Sequence, residues 1–343
     1  MNLKTIAKLA GVSTVTVSNV INGKYKSASK ETIERIQKII EENHYHPNAT
    51  ARSLVMKQSR IIGVVIPNLS ADESFSVSPY NTQILGYLDR YIRSQGYYMM
   101  LRCVVQSFEV LPDLATWNID GAILLGVAAD DALQLREKLD IPAVFIDTCT
   151  EDTSIATVGI EDYKGGYLSA KYLLDRGHRQ IAFVSPSTKF PGVMQERYCG
   201  FRDAFRERGI ELEPNHCFES STLYEPGIEV GKRIAASPVR FTAVASMADV
   251  VALGVMEGLR LGGLRVPEDI SVMGYDGILM ADYFVPRLAT VRQSTHRMAE
   301  RGVDVLLRSI ERHSPQVHEV VPFQLVEGES VAQITPSECS NER

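Results

Sequence analysis

The stretch that decides the fold of the first part of the chain is KTIAKLAGVSTVTVSNVIN, residues Lys4–Asn22. Apolar residues recur at helical spacing in its first half and again at Val17, Val20 and Ile21. Gly11-Val12-Ser13 separates the two patterns; glycine suits the left-handed end of a helix, and serine caps the start of the next. The stretch therefore predicts a helix-turn-helix, in which the start of the second helix faces the DNA major groove.

A third helix and a short fourth segment follow. Residues Ser29–Asn43 carry isoleucines at helical spacing, so three helices can share one small core. The segment YHPNATARSL, Tyr45–Leu54, contains the helix breaker Pro47 and then helix-favouring alanines. Because so short a helix is not stable in water without outside contacts, we predict a hinge that folds on binding.

Charge divides the chain near residue 60. The 343 residues include 36 Lys and Arg against 42 Asp and Glu, for a net charge of −6. Residues 1–60 hold ten basic and four acidic residues, a net of +6, which leaves −12 for residues 61–343. A basic head on an acidic body indicates that the head meets a polyanion while the body has another role.

Several protein classes are disfavoured. The first thirty residues lack the uninterrupted apolar core of a secretory signal, so a cytoplasmic protein is expected. No run approaches the ~18–20 apolar residues of a membrane span. The five cysteines never occur as C-x-x-C, so neither a disulfide framework nor a zinc site is indicated. Nucleotide-loop, metalloprotease and serine-hydrolase motifs are absent, so neither an enzyme nor a cofactor is expected.

The acidic body alternates short apolar runs with amphipathic helices, which is typical of α/β folds with parallel sheets covered on both faces. Two such series predict two lobes, and ligands of these sheets bind beyond the carboxyl ends of the strands, here in the cleft between the lobes. Strands are predicted at Ile61–Ile66, Tyr98–Val104, Gly121–Leu125, Ala143–Ile146, Ile181–Ser185, Cys217–Glu219, Ala243–Ser246 and Ile270–Gly274. Helices are predicted at Asn81–Gln95, Asp130–Leu139, Tyr163–Arg176, Met194–Arg208, Gly227–Ala236 and Val250–Leu261.

The two motifs of the head, in this order and spacing, resemble the DNA-binding headpiece of the LacI/GalR family of bacterial transcription regulators. The resemblance implies that Thr14, Val15 and Asn19 of the second helix read bases. Asparagine can pair with an adenine edge and threonine can donate or accept, but valine offers only a methyl contact, so Val15 either touches a thymine or merely packs.

Other residues of the head are expected to position it or to bend the DNA. In the family, hinge helices of a dimer pair in the minor groove, where a leucine wedges between base pairs. That residue is Leu54 here, with a core position at the domain junction as the alternative. Ser13, Thr16 and Ser18 are expected to anchor phosphates or cap the helix. The remaining candidate DNA contacts are Thr5, Asn22, Tyr25, Asn48, Ala51 and Arg52.

The body resembles the same family, whose effector domain has the periplasmic sugar-binding-protein fold. The motifs include Ile119-Asp120-Gly121, Arg176-Gly177-His178 and Arg197-x-x-Gly200-Phe201. By resemblance Arg197 and Asp276 are ligand contacts; the alternatives are a salt bridge between the lobes or a cap at a strand end.

Departures from the family pattern affect the ligand. Ala248 stands where the family has an asparagine, which removes an amide. Tyr80 could stack on a sugar face and Asn81 could supply the lost hydrogen bonds, or both could simply lie at a helix N-terminus. The candidate effector contacts are Tyr80, Asn81, Asp147, Arg197, Tyr224, Ala248, Tyr275 and Asp276.

The predicted organisation is a headpiece at residues 1–46, a hinge helix and linker at 47–60, and an effector-binding and dimerisation domain at 61–343. Its two lobes are expected at 61–160 with 292–320 and at 161–291 with 321–334. The expected function is a repressor of sugar-uptake or catabolic genes that binds a palindromic operator as a homodimer, controlled by a small effector, expected to be a sugar. A purine or nucleoside, a sugar phosphate, or a protein partner without any ligand are the alternatives.

Overall fold

The computed structural model describes residues 2–21, 23–45, 58–67, 76, 78–189, 192–312 and 317–334. Within these residues the chain forms two units, divided between Arg60 and Ile61. In the described part of the first unit, the α-helices are α1 (Leu3–Ala10), α2 (Thr14–Ile21) and α3 (Lys30–Glu42).

The first unit is a helix-turn-helix with a third supporting helix, as predicted. Gly11 ends α1 with a φ of 65°, which glycine adopts without strain. The Ser13 hydroxyl then accepts the backbone N–H of Thr16 at 3.0 Å and caps α2. Ile6, Val17 and Ile36, one from each helix, are fully buried and form the centre of a small shared core.

The second unit contains two parallel-sheet lobes, which confirms the predicted fold class. Its first sheet has the strand order β11-β5-β4-β3-β1-β2 and its second the order β12-β10-β9-β8-β6-β7. Every pairing in the described sheets is parallel except that of β12 with β10. The elements are β1 (Ile61–Pro67), α4 (Pro79–Ser94), β2 (Tyr98–Val104), α5 (Leu111–Thr116), β3 (Gly121–Leu125), α6 (Ala129–Lys138), β4 (Ala143–Ile146), β5 (Ala156–Gly159), α7 (Asp162–Asp175), β6 (Ile181–Ser185), α8 (Val193–Glu207), β7 (Cys217–Glu219), α9 (Tyr224–Ala235), β8 (Ala243–Ser246), α10 (Asp249–Leu261), β9 (Ser271–Asp276), β10 (Ala289–Arg292), α11 (Thr295–Arg312), β11 (His318–Val320) and β12 (Gln324–Val326).

Helices cover both faces of each sheet. In the first lobe, α4 and α11 pack on one face, and α5 and α6 on the other. In the second lobe, α9 and α10 cover one face, and α7 and α8 the other. None of the described helices is long and apolar enough to span a membrane.

The chain passes between the lobes three times in its described part. It leaves the first sheet after β5, returns after β10 so that α11 packs on the first lobe, and crosses again between β11 and β12. The predicted strands and helices did not include β5, β10, β11, β12, α5 or α11. Four of these are strands of three or four residues, too short to show a periodic pattern.

Helices α7 and α8 approach each other through glycines. A methyl group added to Gly166 would overlap the backbone carbonyl of Arg197, and one added to Gly200 would overlap that of Tyr163. The close contact therefore holds the start of α8 against α7, and only glycine allows it at these two positions.

We expect Gly200→Ala to lower the free energy of unfolding of the second unit by about 1–3 kcal/mol, because the added methyl group forces α7 and α8 apart. Urea unfolding of the full chain can be followed by fluorescence, since its single tryptophan, Trp117, lies in this unit. The matched control is Gly86→Ala on α4, where nothing lies within 4 Å of the added carbon and stability should rise by about 0.5–1 kcal/mol. Equal destabilisation by both substitutions would contradict the close-contact explanation.

Candidate functional site

The start of α2 presents the expected base-reading residues. Thr14 and Asn19 are partly exposed, and 66% of the Val15 surface is open to solvent. A valine so exposed does not belong to the headpiece core, which disfavours the packing alternative. Among the other candidates, Thr5 donates its hydroxyl to the Asn2 side chain at 3.0 Å, and Tyr25 is 49% exposed on the turn before α3.

The side chains around this helix start serve capping as well. The hydroxyls of Ser13 and Thr16 lie 2.9 Å apart, so both belong to the cap of α2, while Ser18 is partly exposed on the same helix. The other candidate DNA contacts, Asn22, Asn48, Ala51, Arg52 and Leu54, lie outside the described residues.

In the second unit, a cavity of about 400 Å³ lies between the carboxyl ends of the two sheets. Residues from both lobes line it, and six of the eight candidate effector residues are among them: Tyr80, Asn81, Asp147, Arg197, Ala248 and Asp276.

Asp147 follows β4 and is held by Tyr80 from the first turn of α4. The Tyr80 hydroxyl donates to Asp147 Oδ2 at 2.5 Å, while Asp147 Oδ1 is buried without a hydrogen-bond partner. Burial raises the pKa of the Asp147 carboxyl to about 6, although the hydrogen bond from Tyr80 lowers it. This part of the cavity therefore offers a free acceptor oxygen to a ligand hydroxyl.

Arg197 projects from the start of α8 and is 3% exposed. Its Nε donates to Asp162 Oδ1 at 2.7 Å, and its Nη1 donates to the Met247 carbonyl at 3.0 Å. The guanidinium also stacks on the ring of Tyr275, 3.9 Å from the ring centre. Burial lowers the pKa of Arg197, because it disfavours the charged form. The neighbouring Asp162, Tyr275 and Asp276 raise this pKa by more, so Arg197 stays charged.

Asp276 ends β9 and completes the polar wall. Its Oδ1 accepts Gln293 Nε2 at 2.9 Å and lies 3.8 Å from Arg197 Nη1. The Gln293 Oε1 atom is buried and has no partner. Burial raises the pKa of Asp276 to about 7, although Arg197 and Gln293 lower it.

The remaining candidates have different positions. Asn81 lies in the first turn of α4, where its backbone N–H donates to the Ser78 cap at 3.3 Å, and its side chain lines the cavity. Ala248 lines the cavity directly before α10, so it presents a methyl group there. Tyr275 is fully buried beneath Arg197 and supports the site from behind. Tyr224 begins α9 and packs against the core of the second lobe, not at the cavity.

Sequence reasoning missed several residues of the site. Gln293 follows β10, and Asp162, which holds Arg197, is the first residue of α7. The hydroxyl residues Ser187 and Thr222 follow β6 and β7. These two residues lie just beyond the carboxyl ends of predicted strands, where ligands of parallel sheets bind. Examining the residues that follow every predicted strand would therefore have found them. Gln293 could not be found in this way because β10 itself was not predicted.

Comparisons with known proteins add the family. A model described as bacterial regulatory proteins, lacI family, matches residues 2–48, and one described as a periplasmic binding protein-like domain matches residues 170–331. The HTH-type transcriptional repressor PurR of Vibrio vulnificus is 34% identical over 342 residues, covering 97% of this chain and 99% of that protein. The chain belongs to the lacI family. It is a DNA-binding transcriptional repressor, and neither matched model describes an enzyme.

Other relatives and solved structures are similar to this repressor over nearly all of the chain. PurR of Erwinia tasmaniensis is 34% identical, covering 96% of both chains. The structure of the lac repressor dimer bound to operator and the anti-inducer ONPF superposes with a TM-score of 0.85 at 26% identity, covering 97% of this chain and 99% of that one. A complex of the transcriptional regulator CelR with cellobiose superposes with a TM-score of 0.72 at 26% identity, covering 96% and 99%.

The raised pKa of Asp276 predicts how stability depends on pH. The folded state holds a proton on this group between about pH 4 and pH 7, where the unfolded state has lost it, so the contribution of Asp276 to stability falls as pH rises through that window. In Asp276→Asn this contribution is absent, and the free energy of unfolding should fall less steeply over the window than in the wild type. Urea unfolding of the full chain across the window measures the difference. Asp130→Asn, an exposed position at the start of α6, is the control and should keep the wild-type slope.

Proposed function

We propose that this repressor binds a palindromic operator as a homodimer and releases or engages it in response to a small molecule in the cavity between its lobes. The exposed start of α2, with Thr14, Val15 and Asn19, supports base reading in the major groove. By resemblance, Leu54 wedges between base pairs in the minor groove, and Ala51 and Arg52 flank it. A repressor that works on DNA in this way acts in the cytoplasm.

We propose that the effector is a neutral molecule with neighbouring hydroxyl groups, and in the first place a sugar. The observation that carries this is the pair of unpartnered acceptors, Asp147 Oδ1 and Gln293 Oε1, at one cavity with Asp276 and Arg197. A buried polar atom without a partner costs about 1–3 kcal/mol, and ligand hydroxyls can donate to these oxygens and remove that cost. Sugars supply several such donors in one rigid ring.

Charge disfavours a sugar phosphate. Among the described residues that line the cavity, Arg197 is the one cation, and it already contacts Asp162 and Asp276. A phosphate would therefore enter a site in which carboxylates outnumber cations, and bringing like charges together in a partly dry cavity is unfavourable. The size and polarity of the cavity also favour a ligand over control by a protein partner alone.

A nucleoside or purine is the second candidate, because the most similar relatives compared above are repressors named PurR. A nucleoside carries ribose hydroxyls that could reach Asp147 and Asp276, whereas a free purine base carries none. The complex of CelR with cellobiose supports the sugar, at lower sequence identity. Thermal-shift measurements with sugars, nucleosides and purine bases separate the two classes, because a ligand that binds only the folded state raises its melting temperature.

Effector binding can act on DNA binding through the placement of the lobes. Tyr80 and Asp147 belong to the first lobe, and Arg197 and Asp276 to the second, so a ligand that touches both groups favours one relative placement. Gln83 of α4 already joins the lobes, because its Oε1 accepts from the Leu279 N–H of the second lobe at 3.3 Å. Its Nε2 also donates to Thr295 Oγ1 at 2.8 Å within the first lobe. Any effect of the ligand on operator affinity is matched by an equal effect of operator on ligand affinity.

Asn19→Ala should weaken binding to the specific operator by about 1–3 kcal/mol and relax base preference at one position, because it removes a bidentate base contact. Non-specific binding should change little. Fluorescence anisotropy with operator and scrambled duplexes at one salt concentration measures both. Lys38→Ala, on the exposed face of α3, serves as the control. It should change the affinities for operator and for scrambled DNA by the same factor. Equal losses on both duplexes for Asn19→Ala would remove Asn19 from the base-reading set.

Asp147→Ala should abolish the response of operator binding to effector while operator affinity without effector stays within about twofold of the wild type. The reason is that Asp147 supplies the free acceptor oxygen of the cavity but lies in a different unit from the headpiece. The measurement is operator affinity with and without the sugar or nucleoside that gives the largest thermal shift. An undiminished response in Asp147→Ala would move the ligand site elsewhere.

A further inference from the structure

Helix α4 belongs to the first lobe, but two side chains near its start reach the second lobe. Tyr80 packs against an apolar cluster of the second lobe that includes Ala248 and Ile278, and among the described residues of that cluster it is the one from the first lobe. Gln83 lies one turn later on the same side of α4, and its Oε1 accepts from the Leu279 N–H. The start of α4 therefore bridges the lobes at two points.

The first lobe holds both of these side chains at their other ends. The Tyr80 hydroxyl donates to Asp147 Oδ2 at 2.5 Å, and it lies 3.9 Å from Met298 Sδ. Gln83 Nε2 donates to Thr295, which is almost completely buried. Because the first lobe already orients Tyr80 and Gln83, little side-chain entropy is lost when they meet the second lobe.

Ala248 keeps the surface that receives Tyr80 apolar. It is 4% exposed, lies directly before α10 and lines the cavity together with Tyr80. The asparagine of the family pattern would place an amide at this point of the apolar cluster, and a buried amide without a partner is costly. The alanine therefore suits an aromatic ring that arrives from the first lobe.

In this arrangement of the lobes, the acceptor atoms that the effector is proposed to use are covered. Asp147 Oδ1 and Gln293 Oε1 are both buried. A ligand hydroxyl has to come within about 3 Å of an oxygen to donate to it, so neither atom can be reached until neighbouring groups move. The two oxygens lie on opposite lobes of one cavity, and separation of the lobes is a single movement that uncovers both.

We propose that Tyr80 and Gln83 form a latch that holds the lobes together, and that the latch opens before an effector reaches the buried acceptors. The latch is a property of the protein alone, whereas its role in effector entry rests on the proposed function. An effector associates only with molecules whose latch is open, so its association rate is proportional to that fraction. Gln83 is not among the described residues that line the cavity, so its substitution changes the latch and leaves the ligand contacts in place.

Deuterium exchange of the full chain, without effector or DNA, tests the latch at single-residue resolution by mass spectrometry. The Leu279 N–H is bonded to Gln83, whereas the Ile278 N–H is bonded to Asp249 within the second lobe and serves as the internal reference. We expect Gln83→Ala to speed exchange at Leu279 about fivefold or more and to leave Ile278 within about twofold, because the bond between the lobes is lost. Gln134→Ala, at an exposed position on α6, is the matched control and should change neither rate.

Two results of this experiment would overturn the latch. One is an unchanged exchange rate at Leu279 in Gln83→Ala. The other is exchange at Leu279 in the wild type at the rate of an unstructured peptide, which would mean that the lobes are not held together in solution.

Tyr80→Ala tests whether the two contacts act together. The ring does not bond the Leu279 amide, so exchange there changes only if loss of the ring loosens the lobes. We expect Tyr80→Ala to speed exchange at Leu279 about fivefold or more, and Tyr80→Phe, which keeps the ring, to speed it less. An unchanged rate in Tyr80→Ala with Ile278 still protected would overturn the joint latch. If Tyr80→Ala fails to fold, Ala248→Asn tests the same contact from the second lobe and should also speed exchange at Leu279.

The association rate of the effector tests the role of the latch in entry. The ligand is whichever sugar, nucleoside or purine base gives the largest thermal shift, and stopped-flow fluorescence gives its association rate constant. We expect Gln83→Ala to raise this constant by about the same factor as it speeds exchange at Leu279, since both processes pass through the open latch. The control Gln134→Ala should leave it unchanged.

The outcomes separate this inference from the proposed function. Faster exchange at Leu279 with an unchanged association rate in Gln83→Ala would mean that the ligand enters without opening the latch, and the proposal would be wrong while the effector site stands. If no sugar, nucleoside or purine base binds, the role in effector entry fails together with the proposed effector. The exchange rates then still decide whether the latch exists.

Discussion

The second unit depends on one buried cation, Arg197. Arg197 is almost completely enclosed, and a buried charge is tolerated only when it is paired and its donors are used. Asp162 at the start of α7, the Met247 carbonyl after β8 and the ring of Tyr275 in β9 meet these needs. The same side chain thereby connects four elements whose ends form the second lobe's wall of the cavity. Removing one partner of such a buried pair typically costs about 3–5 kcal/mol, so the wall is constrained to one arrangement.

The position of Arg197 is set by its backbone as well as by its partners. Gly166 leaves room for the Arg197 carbonyl, and Gly200, less than one turn later in α8, leaves room for the carbonyl of Tyr163. Larger residues at these glycines would displace the start of α8, and the guanidinium would no longer reach Asp162. Gly200 in the motif Arg197-x-x-Gly200-Phe201 therefore helps to position the arginine of the same motif. Packing between two helices therefore determines where this buried charge lies.

The sequence was sufficient for the features that local patterns encode. The turn at Gly11 and Ser13 and the alternating strands and helices of the body follow from periodicity and capping, and they were predicted correctly. The sequence predicted that residues 292–320 return to the first lobe, but not the elements β10, α11 and β11 themselves. The strands β10 and β11 are too short to show a periodic pattern, and β11 pairs with the distant strand β5. Tyr275 shows the same limit at the site: adjacent to Asp276 in sequence, it points into the core because successive residues of a strand face opposite sides.

Ala248 and Asp249 are neighbours at the start of α10 but have different roles in the wall of the cavity. The Asp249 carboxylate is fully enclosed: it accepts from the Thr290 hydroxyl at 2.7 Å and from the Ile278 N–H at 2.8 Å. It therefore ties β10, which Gln293 follows, to the loop that comes directly after Asp276. Ala248 presents a methyl group to the cavity, and the polar side chains of the second lobe that line it are those of Arg197, Asp276, Gln293, Ser187 and Thr222. Asp249 therefore holds the backbone beside both Gln293 and Asp276 in place, while Ala248 adds only apolar surface to the same wall of the cavity.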